Sequence, residues 1–377
     1  MPTVRNTLLA LICTASLLGA DPAPSSAACS SRQVASWTPD ARTTTAFARY
    51  GNNNTRTDDW TGGDGTHAVR LPDGRVLWLF SDSFLGAVHR PPNRRGQPYA
   101  WRDKSAPFVR NSGVVAGRDG SPVRTLRAPL FPDPAPAQWR WPVSARVEGR
   151  TVRVLLWRRA ASGPPLVFGR PLATEVATLS LPGLRVESVR TIAKGPVLYG
   201  TSAVDAGGWT YAFGTDDTVT PSSAYAAHAR RGHLGDPAEW RYWDGAGWDR
   251  RPGHAKPVLR GGVGSAFTVA RSGRTWVLVT PAAGLAGLGR FVTYWSCSAT
   301  GPWHGPGRGF NPPLPRDSSP RPATVAYNPQ LHTALTGGPV LSYDVNWLTA
   351  DPDEALAAVD RNVSLYRPRF LRLRWGP

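Results

Sequence analysis

The clearest structural signal in the chain is Asp64-Gly-Thr-His-Ala-Val-Arg-Leu-Pro-Asp-Gly-Arg-Val-Leu-Trp-Leu-Phe-Ser-Asp82. Two β-rich runs flank Asp73-Gly74, and an Asp-Gly pair between such runs is a strong signal of a tight hairpin turn. The second run ends in the small and polar residues Ser81 and Asp82. The stretch therefore predicts a β-hairpin whose two ends, Asp64 and Asp82, lie side by side.

The same pattern recurs four more times along the chain. In each copy a short strand leads into a tight turn that contains glycine, and a second strand follows. The later copies run from Pro142 to Trp157, Gly200 to Asp217, Gly264 to Thr280 and Thr324 to Asn346. A repeat of roughly 60 residues with several strands per unit is typical of a β-propeller with long loops. We therefore predict an all-β fold, a single five-bladed β-propeller, with a pair of β-sandwiches as the alternative.

Residues 29–377 are predicted to form this one domain. The insertion 86–138 is rich in Pro, Arg and Gly, and we expect it to be a long loop over one face. The tail Val363–Trp375 has the pattern of one more strand, which could complete a blade begun by the N-terminal segment. One short helix is predicted over Pro352–Val359, with Asp351 as its cap.

Composition narrows the classes of protein. The chain has 377 residues, 39 Gly, 37 Pro and 16 Trp, and its hydrophobic content of 41% is too high for a disordered chain. The net charge is +18, yet no run of Lys and Arg exceeds two residues and no nucleic-acid motif is present, so we expect no nucleic-acid partner. The charge indicates affinity for anionic polymers, unless it reflects only the base composition of the genome.

The N-terminus has the pattern of a secretory signal peptide over residues 1–28. Arg5 precedes the apolar run from Thr7 to Ala20, and small residues follow up to Ala28. We therefore expect a secreted, extracellular protein with no membrane span. Cys29 directly after the cleavage site leaves a lipoprotein as a minor alternative. Cys29 and Cys297, which remain after processing, could form a disulfide or stay as free thiols.

Two segments resemble a known family. The first comprises Trp60-Thr-Gly-Gly-Asp-Gly-Thr66 and Leu71-Pro-Asp-Gly-Arg-Val-Leu-Trp-Leu-Phe-Ser-Asp-Ser-Phe-Leu-Gly86, and the second comprises Leu341-Ser-Tyr-Asp-Val-Asn346 and Leu365-Tyr-Arg-Pro-Arg-Phe370. They resemble the first blade and the last blade of a secreted actinobacterial family that has long been catalogued as a domain of unknown function. That family is similar to propeller glycoside hydrolases such as arabinanases. The resemblance implies a hydrolase that acts on a cell-wall or environmental polysaccharide, with an arabinan as the narrower expectation, although a fold alone does not determine function.

The candidate catalytic residues are Asp64 and Asp82. Both should lie at the mouth of the propeller channel, and directly opposed residues in a hairpin have Cβ atoms roughly 4.5–5.5 Å apart. Two carboxyl groups that close raise the pKa of one of them, which yields an acid and a base from one residue type. Glycosidases need such a pair. The alternatives are a turn-capping role for Asp64 and a structural hydrogen-bonding role for Asp82.

Further candidates reach the same rim and are expected to bind substrate. They are Asp59, Trp60, Asn111, Arg146, Asp216, Asp344 and Asn346. For the aspartates and Asn346, a hydrogen-bonded strand end or a solvated loop is the alternative. For Arg146 the alternative is a buried ion pair. No chemistry is assigned to Asn111.

The glutamates limit the mechanism. Many propeller glycosidases use a Glu of a middle blade as the general acid, but none of the five glutamates here lies at the start of an inner strand. Hydrolysis would then rest on aspartates alone, and a non-catalytic carbohydrate-binding propeller is the alternative function. Scattered histidines give no support to a zinc site. We expect a monomer whose partner is a polysaccharide, with no cofactor and at most a weakly supported structural calcium.

Overall fold

The computed structural model describes residues 29–52, 56–163, 169–217, 221–282, 289–315, 323–332, 335, 337–349 and 351–377. The predicted signal peptide, 1–28, lies outside the described residues. Strands hold 49% of the residues and helices 10%, so the fold is all-β as predicted. The helices are α1 (Ala41–Gly51) and α2 (Pro352–Arg361), with 3-10 turns at Pro237–Glu239, Pro252–His254 and Val363–Tyr366.

The strands follow in chain order. They are β1 (Gln33–Pro39), β2 (Trp60–Gly63), β3 (His67–Arg70), β4 (Val76–Phe80), β5 (Ser83–Leu85), β6 (Phe108–Val109), β7 (Ser112–Ala116), β8 (Pro122–Thr125), β9 (Gln138–Glu148), β10 (Thr151–Ala160), β11 (Arg170–Ser180), β12 (Val186–Lys194), β13 (Leu198–Ala206), β14 (Trp209–Thr215), β15 (Ser222–Arg230), β16 (Arg241–Trp243), β17 (Trp248–Asp249), β18 (Leu259–Val263), β19 (Thr268–Ser272), β20 (Thr275–Pro281), β21 (Phe291–Ser296), β22 (Thr324–His332), β23 (Val340–Trp347) and β24 (Arg369–Gly376).

Each of the five sequence copies forms an antiparallel sheet of its own. The sheets have the strand orders β3-β4-β7-β8, β9-β10-β11-β12, β13-β14-β15-β16-β17, β19-β20-β21 and β22-β23-β24-β1. A further small sheet, β2-β5-β6, extends the first copy, and β18 pairs with β15. The first strand of every copy lies at an edge of its sheet and contacts the first strand of the next copy, and β22 contacts β3.

The glycine turns predicted from the sequence are present. Ala206 pairs with Trp209, so Gly207 and Gly208 form a two-residue turn, and both have positive φ, 55° and 82°. A β-branched or bulky side chain is strained in this conformation, which is why the turn contains glycine.

The prediction of a long loop over 86–138 is wrong for residues 112–125. These residues form β7 and β8, which are the third and fourth strands of the first sheet. A signal was present, because Asp119-Gly120 separates two short β-rich runs and Gly120 has φ 84°. The density of Pro and Arg around this hairpin concealed it.

The two chain ends meet in the last sheet. β24 pairs with β23, and β1 pairs with β24 in a register that sets Trp37 opposite Leu373. A disulfide joins Cys29 to Cys297, so the pairing that the sequence left open is formed here. The tail strand predicted over Val363–Trp375 begins later, at Arg369, after a 3-10 turn.

Helix α2 agrees with its prediction, and Asp351 accepts a hydrogen bond from the Asp353 N–H at 2.9 Å. Helix α1 was not predicted, because its three consecutive threonines are β-branched and weak helix formers. It forms because Phe47 is fully buried, with its ring packed against those of Trp60 and Phe370. No helix among the described residues is long and apolar enough to cross a membrane.

Candidate functional site

A polar cavity lies between the first strands of the five sheets. It has two parts, of about 260 Å³ and about 130 Å³, and we call the larger part the deep part and the smaller part, which Asp64 lines, the mouth. Both parts are lined by His67, Thr201 and Gln330, so they adjoin. The mouth is at the N-terminal ends of the first strands, where the sequence predicts the chemistry to be.

Asp64 lines this mouth, and Asp82, which does not line it, is the neighbour of Asp64 across the hairpin. The Asp64 N–H donates to the Asp82 carbonyl oxygen at 3.1 Å, and the Ser81 N–H donates to the Asp64 carbonyl oxygen at 2.7 Å. Strands β2 and β5 continue the pairing, with Gly63 opposite Ser83. The two aspartates are therefore neighbours across the hairpin, as the turn at Asp73-Gly74 predicts.

Asp64 is held in a setting that favours its protonated form. Burial raises the pKa of the Asp64 carboxyl group well above its usual range, and the nearby carboxylates of Asp82 and Asp344 raise it further. The Tyr327 hydroxyl donates to Asp64 Oδ2 at 2.8 Å, and this bond opposes the rise in pKa, as does the Tyr366 hydroxyl. The net effect is a carboxyl group that retains its proton as the pH rises.

Asp82 has stronger stabilisation of its charged form. Burial raises its pKa above the usual range, and the Arg110 guanidinium and the Trp141 indole offset only part of that rise. Arg110 donates to Asp82 Oδ2 at 3.1 Å, and Trp141 Nε1 donates to Oδ1 at 2.9 Å. The Asp82 side chain is 18% exposed, so water and a ligand can reach it. The pair thus combines Asp64, whose surroundings favour the protonated form, with Asp82, which has the cationic partner Arg110.

Asp344, which was expected to bind substrate, is a buried structural residue. Its Oδ2 accepts the Gly65 N–H at 2.7 Å and the Asn328 side-chain N–H at 3.2 Å, and its Oδ1 accepts the Thr66 hydroxyl at 2.6 Å. It is fully buried, and this burial raises its pKa to about 7 against those hydrogen bonds. Asp344 therefore ties the loop that carries Asp64 to β23, and it presents no free oxygen to a ligand.

Three other expected substrate contacts lie in the protein interior. Trp60 is fully buried and packs against Phe80 with ring centroids 4.8 Å apart. Asn111 is also fully buried, where it accepts the Phe131 N–H and donates to the Phe131 carbonyl. Asp59 is 3% exposed and accepts a hydrogen bond from the Tyr50 hydroxyl. Packing and hydrogen bonding account for these three residues, so the expectation of substrate contact is wrong for them.

The remaining candidates each have a local partner. Arg146 reaches into the deep part of the cavity and forms an ion pair with Asp205. Asp216 Oδ1 accepts the Ser223 N–H at 3.0 Å. Asn346 lies on β23, as Asp344 does, and its Oδ1 accepts the N–H of Trp347 at 2.7 Å. None of these three residues lines the mouth.

Sequence reasoning missed several residues that complete the mouth. Tyr327 and Trp141 stand near the starts of two copies, as Asp64 does in the first, and that position is the signal that could have identified them. Asp217 also lines the mouth and forms an ion pair with the buried Arg159. Burial raises the pKa of Asp217, and Arg159 opposes that rise. For Tyr366, in the tail, no sequence signal pointed to the site.

The positions of the glutamates agree with the sequence analysis. Glu175 lies on the third strand of its sheet, where Arg140 Nε donates to it at 2.6 Å. No glutamate lines the mouth or the deep cavity. Within the part of the chain that the structure describes, no three His, Cys, Asp or Glu side chains converge in a way that could hold a metal ion.

The family whose description is "Domain of unknown function (DUF5005)" matches residues 48–375. The chain belongs to this family. No curated protein matches this DUF5005 chain. Among solved structures, it is similar to a "putative hydrolase" from Bacteroides ovatus ATCC 8483, with 21% identity, a TM-score of 0.70, and coverage of 89% of this chain and 90% of that one.

Glycoside hydrolases are among the other structures similar to the DUF5005 chain. The α-L-arabinofuranosidase PaAbf62A from Podospora anserina, solved in complex with cellotriose, has a TM-score of 0.50 and 11% identity, over 86% of this chain and 93% of that one. At such low identity these likenesses concern the fold alone. The DUF5005 chain thus has a glycoside hydrolase-like fold.

Proposed function

We propose that the DUF5005 chain is a five-bladed β-propeller with the signature of a secreted protein. The contacts that run from β3 through β9, β13 and β19 to β22 and back to β3 support five blades. The cavity enclosed by these five strands supports a central channel. The apolar run at 7–20 and the disulfide between Cys29 and Cys297 support export, because disulfides persist in oxidising compartments.

We further propose that this protein is a glycoside hydrolase that acts on a wall polysaccharide, with an arabinan as the first substrate to test. The single observation that carries this proposal is the adjoining pair Asp64 and Asp82, in which Asp64 lines the mouth of the cavity and the part-exposed Asp82 lies beside it. In this scheme Asp64 is the general acid, because its pKa is raised well above the usual range. Asp82, whose raised pKa the Arg110 guanidinium partly offsets, is the partner that in its ionised form activates water or attacks the sugar.

The aromatic side chains at the mouth fit a sugar ligand. Trp141 and Tyr327 line it and donate hydrogen bonds to the two aspartates. Indole and phenol rings offer flat apolar faces with a polar edge, which suits the alternating faces of a sugar ring. We therefore assign substrate contact to Trp141 and Tyr327, and we retain Arg146 as a contact in the deep cavity.

A second candidate function is glycan binding without cleavage. It is favoured by the absence of a glutamate from the lining of the mouth and by the hydrogen bonds that already engage both aspartates. The same surface would then hold a glycan whose bonds are not broken.

Product release by three single variants separates the two functions. Purified wild type, Asp64→Asn and Asp82→Asn are incubated with arabinan and arabinogalactan, and new reducing ends are measured. Asp73→Asn is the matched control, since Asp73 is an exposed aspartate in the hairpin turn at the opposite end of β3. The hydrolase function requires that wild type and Asp73→Asn release new reducing ends. It also requires that the rate of release be at least a hundredfold lower in Asp64→Asn and in Asp82→Asn. Binding of the same glycans by calorimetry with no release from any protein would establish the second function instead.

A further inference from the structure

A second cavity lies outside the channel and is strongly basic. Its volume is about 270 Å³, and the segment 93–104 and the end of α2 line it. We call it the cationic groove, and its cations are Arg94, Arg95, Arg102, Lys104 and Arg361. Its only carboxylates, among the described residues, are Asp103 and Asp360.

Both carboxylates of the cationic groove are already engaged. Asp103 contacts His89 at 2.7 Å and Arg94 at 2.5 Å. Asp360 pairs with the buried Arg102 at 3.2 Å.

The other three cations, Arg95, Lys104 and Arg361, have no acidic partner within hydrogen-bond distance in the described part of the chain. Their charges converge on one cavity, where burial and the adjacent Arg95 lower the pKa of the part-buried Arg361, and Glu354 and Asp360 oppose that fall. Unpaired cations in one concave site attract an anion, because low-dielectric walls strengthen their field.

The cationic groove is built rigidly around a buried amide. Asn93 is 4% exposed, and its side chain donates to the Arg361 carbonyl and to Gln97 Oε1, each at 2.9 Å. Its Oδ1 accepts the N–H groups of Arg95 and Gln97. This clamp fixes the backbone of the turn that carries Arg94 and Arg95 against the end of α2.

The C-terminal end of α2 offsets only part of the positive charge of the cationic groove. The C-terminal end of α2 carries a partial negative charge of roughly half an electron, which favours a cation such as Arg361. The groove nonetheless holds three cations beyond those paired with carboxylates, so most of the positive charge remains for a ligand.

The cationic groove is close to the proposed active site. The Arg102 guanidinium lies 3.9 Å from the centre of the Phe84 ring, and Phe84 packs edge-on against Tyr366. Tyr366 in turn faces Asp64. These contacts run through buried side chains, so they place the cationic groove and the proposed active site near each other in the fold.

We propose that the cationic groove binds the acidic groups of a polysaccharide, so that the substrate class is an anionic glycan that carries carboxylate or phosphate groups. Guanidinium groups bind both oxyanions through paired N–H···O bonds. The inference rests on the proposed function for the identity of the ligand as a glycan. It does not require cleavage, so binding tests it separately.

The test compares two triple variants of the full chain in an Asp64→Asn background. The groove variant carries Arg95→Gln, Lys104→Gln and Arg361→Gln. The control carries Arg185→Gln, Arg250→Gln and Arg274→Gln, which remove the same charge from exposed positions outside the groove. Affinities for hexagalacturonate, tripolyphosphate, neutral arabinohexaose and a single-stranded oligonucleotide are measured by calorimetry at about 0.1 M salt, where screening limits long-range charge effects.

We expect at least a tenfold loss of hexagalacturonate or tripolyphosphate affinity in the groove variant and less than a twofold loss in the control, with arabinohexaose affinity the same in both. The probe that loses more affinity identifies the oxyanion. Equal losses in the two variants would show that net charge alone attracts anions, and they would overturn the proposal. The proposal would also be overturned if the oligonucleotide bound more tightly than hexagalacturonate and tripolyphosphate and lost that affinity in the groove variant. Because Asp64→Asn removes cleavage, failure of the hydrolase proposal leaves this result unaffected.

Discussion

Two substitutions of Asp344 distinguish a structural role of this residue from a substrate-binding role. Asp344→Ala removes every acceptor that serves the Gly65 N–H, the Thr66 hydroxyl and the Asn328 amide, and it leaves these donors buried. Asp344→Asn retains an oxygen at the Oδ2 position for Gly65 and Asn328. Its NH₂ group can donate to the Thr66 hydroxyl, which rotates to accept. The amide loses only the bond from the Thr66 main-chain N–H, which also faces this carboxyl group.

The expected sizes follow from the number of orphaned groups. Each buried donor that loses its partner costs about 1–3 kcal/mol, and Asp344→Ala orphans four of them, so it should lower the free energy of unfolding by at least about 4 kcal/mol. Asp344→Asn orphans one donor and should cost about 1 kcal/mol at pH 5. The ratio of the two effects is the signature of a hydrogen-bonded structural residue.

The pH dependence gives the second signature. The pKa of Asp344 is about 7 in the folded state and 3.8 in the unfolded chain. As the pH rises, the unfolded chain releases the proton first, so stability decreases between about pH 4 and pH 7 and then levels off. A difference of roughly three pKa units corresponds to about 4 kcal/mol. Asp344→Asn cannot ionise, so this share of the decrease should be absent and the variant should match or exceed wild type at pH 8.

Urea unfolding followed by tryptophan fluorescence at pH 4.5, 6 and 8 measures all three proteins. The reasoning is refuted if Asp344→Asn is as unstable as Asp344→Ala at pH 8, or if wild type and Asp344→Asn lose the same stability between pH 4.5 and pH 8. A large loss of glycan affinity in Asp344→Asn with unchanged stability would restore the substrate-binding role.

Three further measurements probe the rest of the site. Tyr327→Phe removes a hydrogen bond that lowers the pKa of Asp64, so the alkaline limb of the kcat/KM–pH profile should move to higher pH; movement to lower pH would contradict the acid role. Trp60→Ala should cost about 3–5 kcal/mol in unfolding free energy, whereas Trp141→Ala should cost clearly less and reduce glycan turnover; similar costs would contradict the burial difference. Cys297→Ser should lower stability by about 2–5 kcal/mol in oxidising buffer and match reduced wild type.

The architecture could be predicted where local chemistry is sufficient. The turns at Asp73-Gly74 and Gly207-Gly208 identified their hairpins because only a few residue types tolerate positive φ. From these turns the adjoining positions of Asp64 and Asp82 followed by counting residues. The hairpin at 112–125 has strands as short as those of the predicted hairpin β3-β4, and it was missed because Pro and Arg are dense around it.

The environment of the site could not be predicted in the same way. Trp60 and Trp141 are the same residue type near the starts of two copies, yet one is fully buried and the other lines the mouth. That difference arises from α1, because Phe47 of this helix covers Trp60, and no local sequence pattern predicts that contact. The partners of Asp64 are equally remote, since Tyr327 is 263 residues away in the sequence.

The proposed chemistry lies where the first and last sheets meet, and this has a physical consequence. Two of the contacts that position Asp64, the Tyr327 hydrogen bond and the Asp344 bonds to Gly65 and Thr66, come from the sheet that contains β1 and β24. Closing a contact over so many residues carries a large entropic cost, which the pairing of β1 with β24 and the disulfide to Cys297 help to offset. The order of the site should therefore depend on the N-terminal strand, although that strand supplies no side chain to the mouth. A substitution that loosens β1 should consequently weaken catalysis or binding before it unfolds the other four sheets.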